Sequence, residues 1–360
     1  MRSSLTLFEV FGISVKLHIS FIVLLLVVTF FEGLTTLFYF SLIFLFVLGH
    51  ELSHSLVAKM NGIPVKEIVL TFIGGIASIE IPENPRLELK VSVAGPVFNL
   101  MVVTFALVTL TFFYPTWAGS ISAQALRENP LSPMNLLLNI IAINLMLGFF
   151  NLLPGFPMDG GRILRSILAF WFDYVKATEL AVNTGRYIVF PFMVIWGLVS
   201  GNLILVAIAG ILYLVSGAEL QMLLLRNSFR GVSVFEAADK SFTYVLESLS
   251  IREFLDSGAN PAKRYYLVIS DEGLLRGYFF LRDLEGLNGS NAQQPVACLA
   301  RDDYKVLKKD GPVSYLFRKG LLNKPIIVVS EGEVLGVLTR DYLLDNLRYF
   351  QSRKITGKNL

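Results

Sequence analysis

The chain of 360 residues is 54% hydrophobic and 16% charged, with a mean hydropathy of +0.61, which excludes a wholly soluble protein of average composition. A net charge of +3 gives no reason to expect nucleic acid as a partner, and the single cysteine, Cys298, excludes an intrachain disulfide and agrees with a reducing compartment for the C-terminal part. The long apolar runs end near residue 226, so composition predicts a membrane domain over 1–226 and a soluble domain over 231–350.

In chain order, the first apolar run, Leu17 to Phe31, follows Arg2 and Lys16 as a secretory signal would. It ends in FFEGLTT with no small-x-small cleavage pattern and reads as a retained span. Segments suited to crossing a bilayer, which takes about 17 to 25 residues, are placed near 17–33, 35–58, 91–113, 134–153, 187–200 and 202–225, the first and fifth being short. With the N-terminus in the cytoplasm, the basic residues from Lys59 to Lys90, from Arg162 to Arg186 and at Arg226 and Arg230 share its side. Arg127 alone lies opposite. This asymmetry predicts six spans, with both ends and the C-terminal domain cytoplasmic.

Between the second and third spans, VKEIVLTFIGGIASIEIPENPRLELK (65–90) is too polar to cross, and its β-branched residues predict two short strands around a Gly74-Gly75 turn. Such a hairpin either dips into the membrane, where protein or a water cavity satisfies its backbone, or forms an ordinary cytoplasmic loop.

From residue 231 the chain repeats itself: YYLVISDEGLLRGYFFLRDL (265–284) recurs as PIIVVSEGEVLGVLTRDYL (325–343). Each copy reads as strand, charged turn, strand and an acidic residue opening a helix, predicting paired α/β units over about 231–286 and 295–350. GLNGSNAQQP (286–295) reads as the connector.

The chemistry concentrates in HELSH (50–54), at the end of a strongly apolar helix. Residues four apart share a helical face, so His50 and His54 can direct ring nitrogens at one metal ion with Glu51 beside it. The motif uses two of the three histidines in the chain. The alternative is a pair of unrelated helical histidines satisfied by their neighbours. A catalytic zinc site wants a third protein ligand and an open position. The remaining histidine, His18, sits at the mouth of the first span, so the candidate is Asp159 in NLLPGFPMDGGRILRSIL (151–168). Pro154, Gly155, Pro157, Gly160 and Gly161 break the helix there, leaving the unwound backbone tolerated at membrane depth beside a water-filled cavity. His50 lies nine residues before Lys59, roughly 13 Å inside the cytoplasmic boundary, and the fourth span runs toward the same side. Asp159 can also be read as the N-cap of the helix that follows it. Of two asparagines in apolar surroundings, Asn151 can donate to a developing oxyanion or a substrate carbonyl, and Asn99 reads as an interhelical hydrogen bond.

HELSH, FIGGIASIE, AGPVFN and NLLPGFPMDGG, in this order over residues 35–168, resemble the motif set of the site-2 protease family of intramembrane zinc metalloproteases. The resemblance implies a six-span helical core with a membrane-associated β-hairpin, a zinc ion on His50, His54 and Asp159, Glu51 as general base, and Asn151 at substrate or oxyanion. It further implies that Gly74, Gly75 and Ile76 help present a membrane-protein substrate, and that the activity is regulated intramembrane proteolysis within the lipid bilayer.

The C-terminal repeat resembles a pair of CBS domains, a module that implies homo-oligomer formation or adenine-nucleotide binding. Nucleotide-binding units of that kind carry Gly-x-x-Thr/Ser-x-x-Asp. Here Asp283 keeps its place without the hydroxyl, and Thr339 keeps its place with Tyr342 in the acidic position. Neither copy is complete, which leaves nucleotide sensing and a purely structural module both open. Two other functions stay open at this level: a CBS-linked transporter whose polar groups line a permeation path, and an inactive scaffold that holds membrane proteins.

Overall fold

The computed structural model describes residues 4–72, 74–79, 81–117, 129, 131–257, 259–260, 263, 265–284, 292–318, 321–347 and 349–350. Arg127 and residues 286–291 of the connector lie outside them. The chain divides into two compact units, Met1–Gln221 and Met222–Leu360.

The first unit opens with two strands that the hydropathy pattern does not reveal, β1 (Ser4–Val10) and β2 (Ile13–His18), paired antiparallel. Phe11 and Gly12 turn between them at φ of 52° and 69°, the left-handed pair that suits the twist of a hairpin. Lys16, expected as a flank of the first span, instead lies in β2 and pairs with Glu67 at 2.6 Å. β3 (Val65–Thr71) runs parallel to β2, and β4 (Gly74–Ile79) pairs antiparallel with β3. The expected two-stranded hairpin is therefore one half of a four-stranded sheet in the order β1-β2-β3-β4. Gly74 and Gly75 also differ from expectation: they begin β4, opposite Thr71 and Leu70, rather than forming the turn.

Among the described residues, five helices are long and apolar enough to cross a membrane. α1 (Ile19–Met60) is capped by His18, whose side chain accepts from the Ser20 N–H. Gly33, at φ 83° and ψ −177°, breaks α1 where the first two predicted segments meet. The Phe21 and Phe44 rings lie 4.3 Å apart across this break, which a straight helix of that length forbids; the two halves fold back on each other. α2 (Pro85–Phe113) starts at an Asn84 cap with proline in its first turn. α3 (Pro133–Leu152) ends in the Pro154–Pro157 turn, and the short α4 (Asp159–Leu168) follows. Asp159 is the first helical residue of α4, and Met158 holds the cap position with no side-chain bond, so the N-cap reading of Asp159 is corrected. α5 (Tyr174–Val199) begins well before the predicted 187, because its opening turns, with Lys176, Glu179, Asn183 and Arg186, are too polar to register as a span. α6 (Leu203–Ser228) completes the set. α2 packs against α1, α3 and α4 and so sits where their residues converge.

The second unit holds two three-stranded sheets of identical order. One is β5 (Tyr244–Leu246), β6 (Tyr265–Ile269) and β7 (Leu275–Phe280), and the other is β8 (Lys305–Lys308), β9 (Ile326–Ser330) and β10 (Glu333–Leu338). In each, the first pairing is parallel and the second antiparallel. The packing units differ from the repeats in the sequence. Asp239 bridges to Val337 and Arg301 to Tyr278, so each sheet borrows the segment that precedes the other. Val234, Ala237 and Ala238 accordingly belong to the core of the second sheet, and Val296 to that of the first. Gly277 and Gly336 make this exchange possible. A side chain there would meet the Arg301 carbonyl at 2.5 Å or the Asp239 carbonyl at 2.9 Å.

Candidate metal centre and active-site cleft

The last turns of α1 place His50 and His54 side by side, ring centroids 4.7 Å apart, with only 4% and 6% of each residue exposed. Their outer nitrogens are spoken for. His54 Nδ1 donates to the Val91 carbonyl at 2.7 Å, an oxygen that only accepts, so the ring proton sits on Nδ1. Asn99 donates its amide to Asn144 Oδ1 at 2.9 Å, and Asn144 donates to the Ile140 carbonyl, which leaves Asn99 Oδ1 as the acceptor for His50 Nδ1 at 2.6 Å. The expected interhelical role of Asn99 is present, and the residue also orients a candidate ligand.

Both Nε2 atoms therefore turn lone pairs inward, 3.1 Å apart, and Asp159 Oδ2 stands 3.0 Å from each. The three ligand atoms lie within 4.8 Å of one another. With both ring protons on the far side, two lone pairs and a carboxylate face one point, an arrangement that a cation relieves. Two imidazoles and one carboxylate are a zinc donor set, with a fourth position left for water or substrate. The residues fit the metal.

α2 makes room for this cluster. Gly95 lies against the imidazoles, where a Cβ would come within 2.6 Å of His50 Nε2. Further out, Arg165 of α4 and Glu88 at the start of α2 form a buried pair, and Glu88 also accepts from Ser166 (3.2 Å) and Tyr174 (2.9 Å). These residues join α2, α4 and α5 around the centre. In the sequence Arg165 reads only as a topology signal, and the one cue to Glu88 is a carboxylate between Arg86 and Lys90 where a membrane-length helix begins.

A cleft of about 500 Å³ opens on the centre, lined by Glu51, His54, Asn151 and Asp159, and along one wall by Gly75, Ala77 and Ile79 of β4. Among the described residues β3 is the only sheet partner of β4, so its other edge is free. Gly75 lets that strand approach the glutamate, since a Cβ there would lie 2.6 Å from Glu51 Cγ. Ile76 lies in the same strand opposite Val69. Asn151 lines the cleft with its amide donating to the Leu147 carbonyl of its own helix at 3.0 Å. His18 is spent as a helix cap. Thr339 and Asp283 belong to the second unit. Thr339 accepts from the Tyr342 N–H, while Asp283 accepts from the Phe280 N–H at 3.0 Å and from Arg301 at 2.7 Å.

A His-Glu-x-x-His face closed by an aspartate from a broken helix end, all within a bundle of membrane-length helices, defines a membrane metalloprotease. Residues 38–195 match peptidase family M50. The chain is 31% identical over 355 residues to a zinc metalloprotease of Methanocaldococcus jannaschii, spanning 96% of both proteins. It belongs to peptidase family M50. Among solved structures it is similar to the site-2 protease from Methanocaldococcus jannaschii, with 35% identity over 60% of this chain and 95% of that one, at a TM-score of 0.44. It is also similar to a CBS domain pair/ACT domain protein from Thermotoga maritima, with 20% identity over 33% of this chain and 98% of that one, at a TM-score of 0.25.

Proposed function

We propose that this zinc metalloprotease hydrolyses peptide bonds in or near transmembrane segments of other membrane proteins. The observation that carries the reading is the meeting of Glu51, two ring lone pairs and Asp159 in one cleft whose wall is a free strand edge. A transmembrane helix hides its peptide bonds in its own hydrogen bonds, so cleavage requires local unwinding. The free edge of β4, at Gly74, Gly75 and Ile76, can pair with the unwound stretch by strand addition.

In this mechanism His50, His54 and Asp159 hold zinc, which when bound acidifies water and polarises the scissile carbonyl. Glu51 accepts the proton of the attacking water and later delivers it to the leaving amine. Asn151 turns its amide from the Leu147 carbonyl toward the substrate, donating to the oxygen on which charge develops. Asn99 and the Val91 carbonyl keep both imidazoles in the tautomer that leaves Nε2 free.

Reading the fold-back at Gly33 as the break between two spans of α1 gives six spans, the count proposed here. The basic residues then put the N-terminus and the C-terminal unit, here read as a CBS pair, in the cytoplasm. That pair serves as a regulatory or dimer-forming module of regulated intramembrane proteolysis. Adenine nucleotide remains a second ligand to test there, through Thr339 and Asp283.

The test is incubation of purified protein in detergent with single-span substrates, comparing wild type, wild type with a zinc chelator, and Glu51→Gln. Cleavage by wild type alone is expected. Cleavage surviving in Glu51→Gln would remove the proposed base, and wild type that neither cleaves nor binds zinc would bring transport or scaffolding forward.

A further inference from the structure

Arg165 carries more contacts than a structural ion pair needs. Its guanidinium donates to Glu88 through Nε at 3.1 and 3.2 Å and also through Nη2, and it lies 4.7 Å from the Phe156 ring and 4.8 Å from the Tyr174 ring. Its remaining arm, Nη1, reaches Glu219 of α6 at 3.1 Å. Arg165 and Glu88 already balance in charge, so Glu219 adds a second carboxylate to a pair complete without it. Exposure separates the members: the side chains of Glu88 and Arg165 are 1% and 5% exposed, and that of Glu219 is 44% exposed. Breaking the buried pair strands a charge, whereas an exposed partner can leave at small cost.

The same guanidinium sits at a mechanical junction of the metal centre. Asp159 lies six residues ahead of Arg165 on α4, about 9 Å along a rigid helix. Phe156 belongs to the turn that delivers Asp159. Glu88 lies one turn before Val91, whose carbonyl holds His54. α6 has a second polar tie on the same stretch, where Arg186 of α5 donates to Ser216 at 3.0 Å and also crowds Gly217. Beyond Glu219 the chain of α6 continues directly into the C-terminal unit.

We infer that Glu219 is a positioning residue for the metal centre: its carboxylate on Arg165 seats α6 against α4 and holds Asp159 in register with His50 and His54, so that displacement of α6 loosens the centre's grip on its metal. The inference rests on the metalloprotease reading.

Zinc dissociation constants of the full-length protein in detergent test it, measured by chelator competition for wild type, Glu219→Gln and Glu219→Lys at low and high salt, alongside melting temperature. Weakening by about three- to tenfold is expected for Glu219→Gln, more for Glu219→Lys, with melting nearly unchanged. High salt is expected to move wild type toward Glu219→Gln, because the exposed carboxylate is screened. Equal affinity in all three proteins, with wild type binding zinc, overturns the inference and leaves the protease reading standing. A loss that merely follows a collapse in melting temperature also overturns it, since Glu219 would then only support the fold. Wild type that binds no zinc overturns both.

Discussion

A methyl group on Gly95 would stand 2.6 Å from Nε2 of His50, the atom turned toward Asp159. The neighbour is a buried ring already fixed on its far side by Asn99, so neither can yield. Gly95→Ala is expected to displace both imidazoles and lower zinc affinity on the order of 100-fold, with little loss of helix. Zinc content after dialysis against a weak chelator checks this; full occupancy in the variant would show that the rings can move.

Asn99 acts on the same ring from the other side. In Asn99→Ala, His50 Nδ1–H loses its acceptor and Asn144 loses a donor, inside an apolar bundle. Zinc affinity is expected to fall about 10- to 100-fold, and chelator competition reads it directly.

Gly75 tests the link between strand and base. Because a Cβ at this position would meet Glu51 Cγ at 2.6 Å, Gly75→Ala is expected to lower kcat by about 100-fold while zinc occupancy stays at the wild-type level. Equal loss of zinc and activity would place the effect on the ligands instead.

Glu88→Ala leaves the Arg165 guanidinium buried with only the exposed Glu219 carboxylate as partner and strands Ser166 and Tyr174. A destabilisation of about 3 to 5 kcal/mol is expected, seen as early unfolding in detergent. Glu219→Gln serves as the mild comparison.

In the C-terminal unit, Asp283 is engaged by Arg301 and the Phe280 N–H, and Thr339 by its own helix. AMP or ATP is therefore expected to leave the melting of the full-length protein unchanged. A rise in melting temperature on adding either would favour nucleotide sensing.

The sequence alone determined what depends on neighbours along the chain. Residues four apart share a helical face whatever surrounds them, so HELSH announced its two imidazoles and its glutamate. Apolar runs announced most of the membrane helices, and the internal repeat announced two similar sheets. Tertiary structure decided what depends on distant segments. It brought Asp159 onto the imidazoles across more than a hundred residues, tied the Asn151 amide to its own helix at the cleft wall, and turned a presumed hairpin into half of a four-stranded sheet. The first strands were invisible because a short amphipathic hairpin beside a span carries no hydropathy contrast of its own. The roles of Gly95, present in the AGPVFN motif, and of Glu88 were hidden for a related reason: one acts by what it lacks and the other by a partner seventy-seven residues away, and neither leaves a periodic trace.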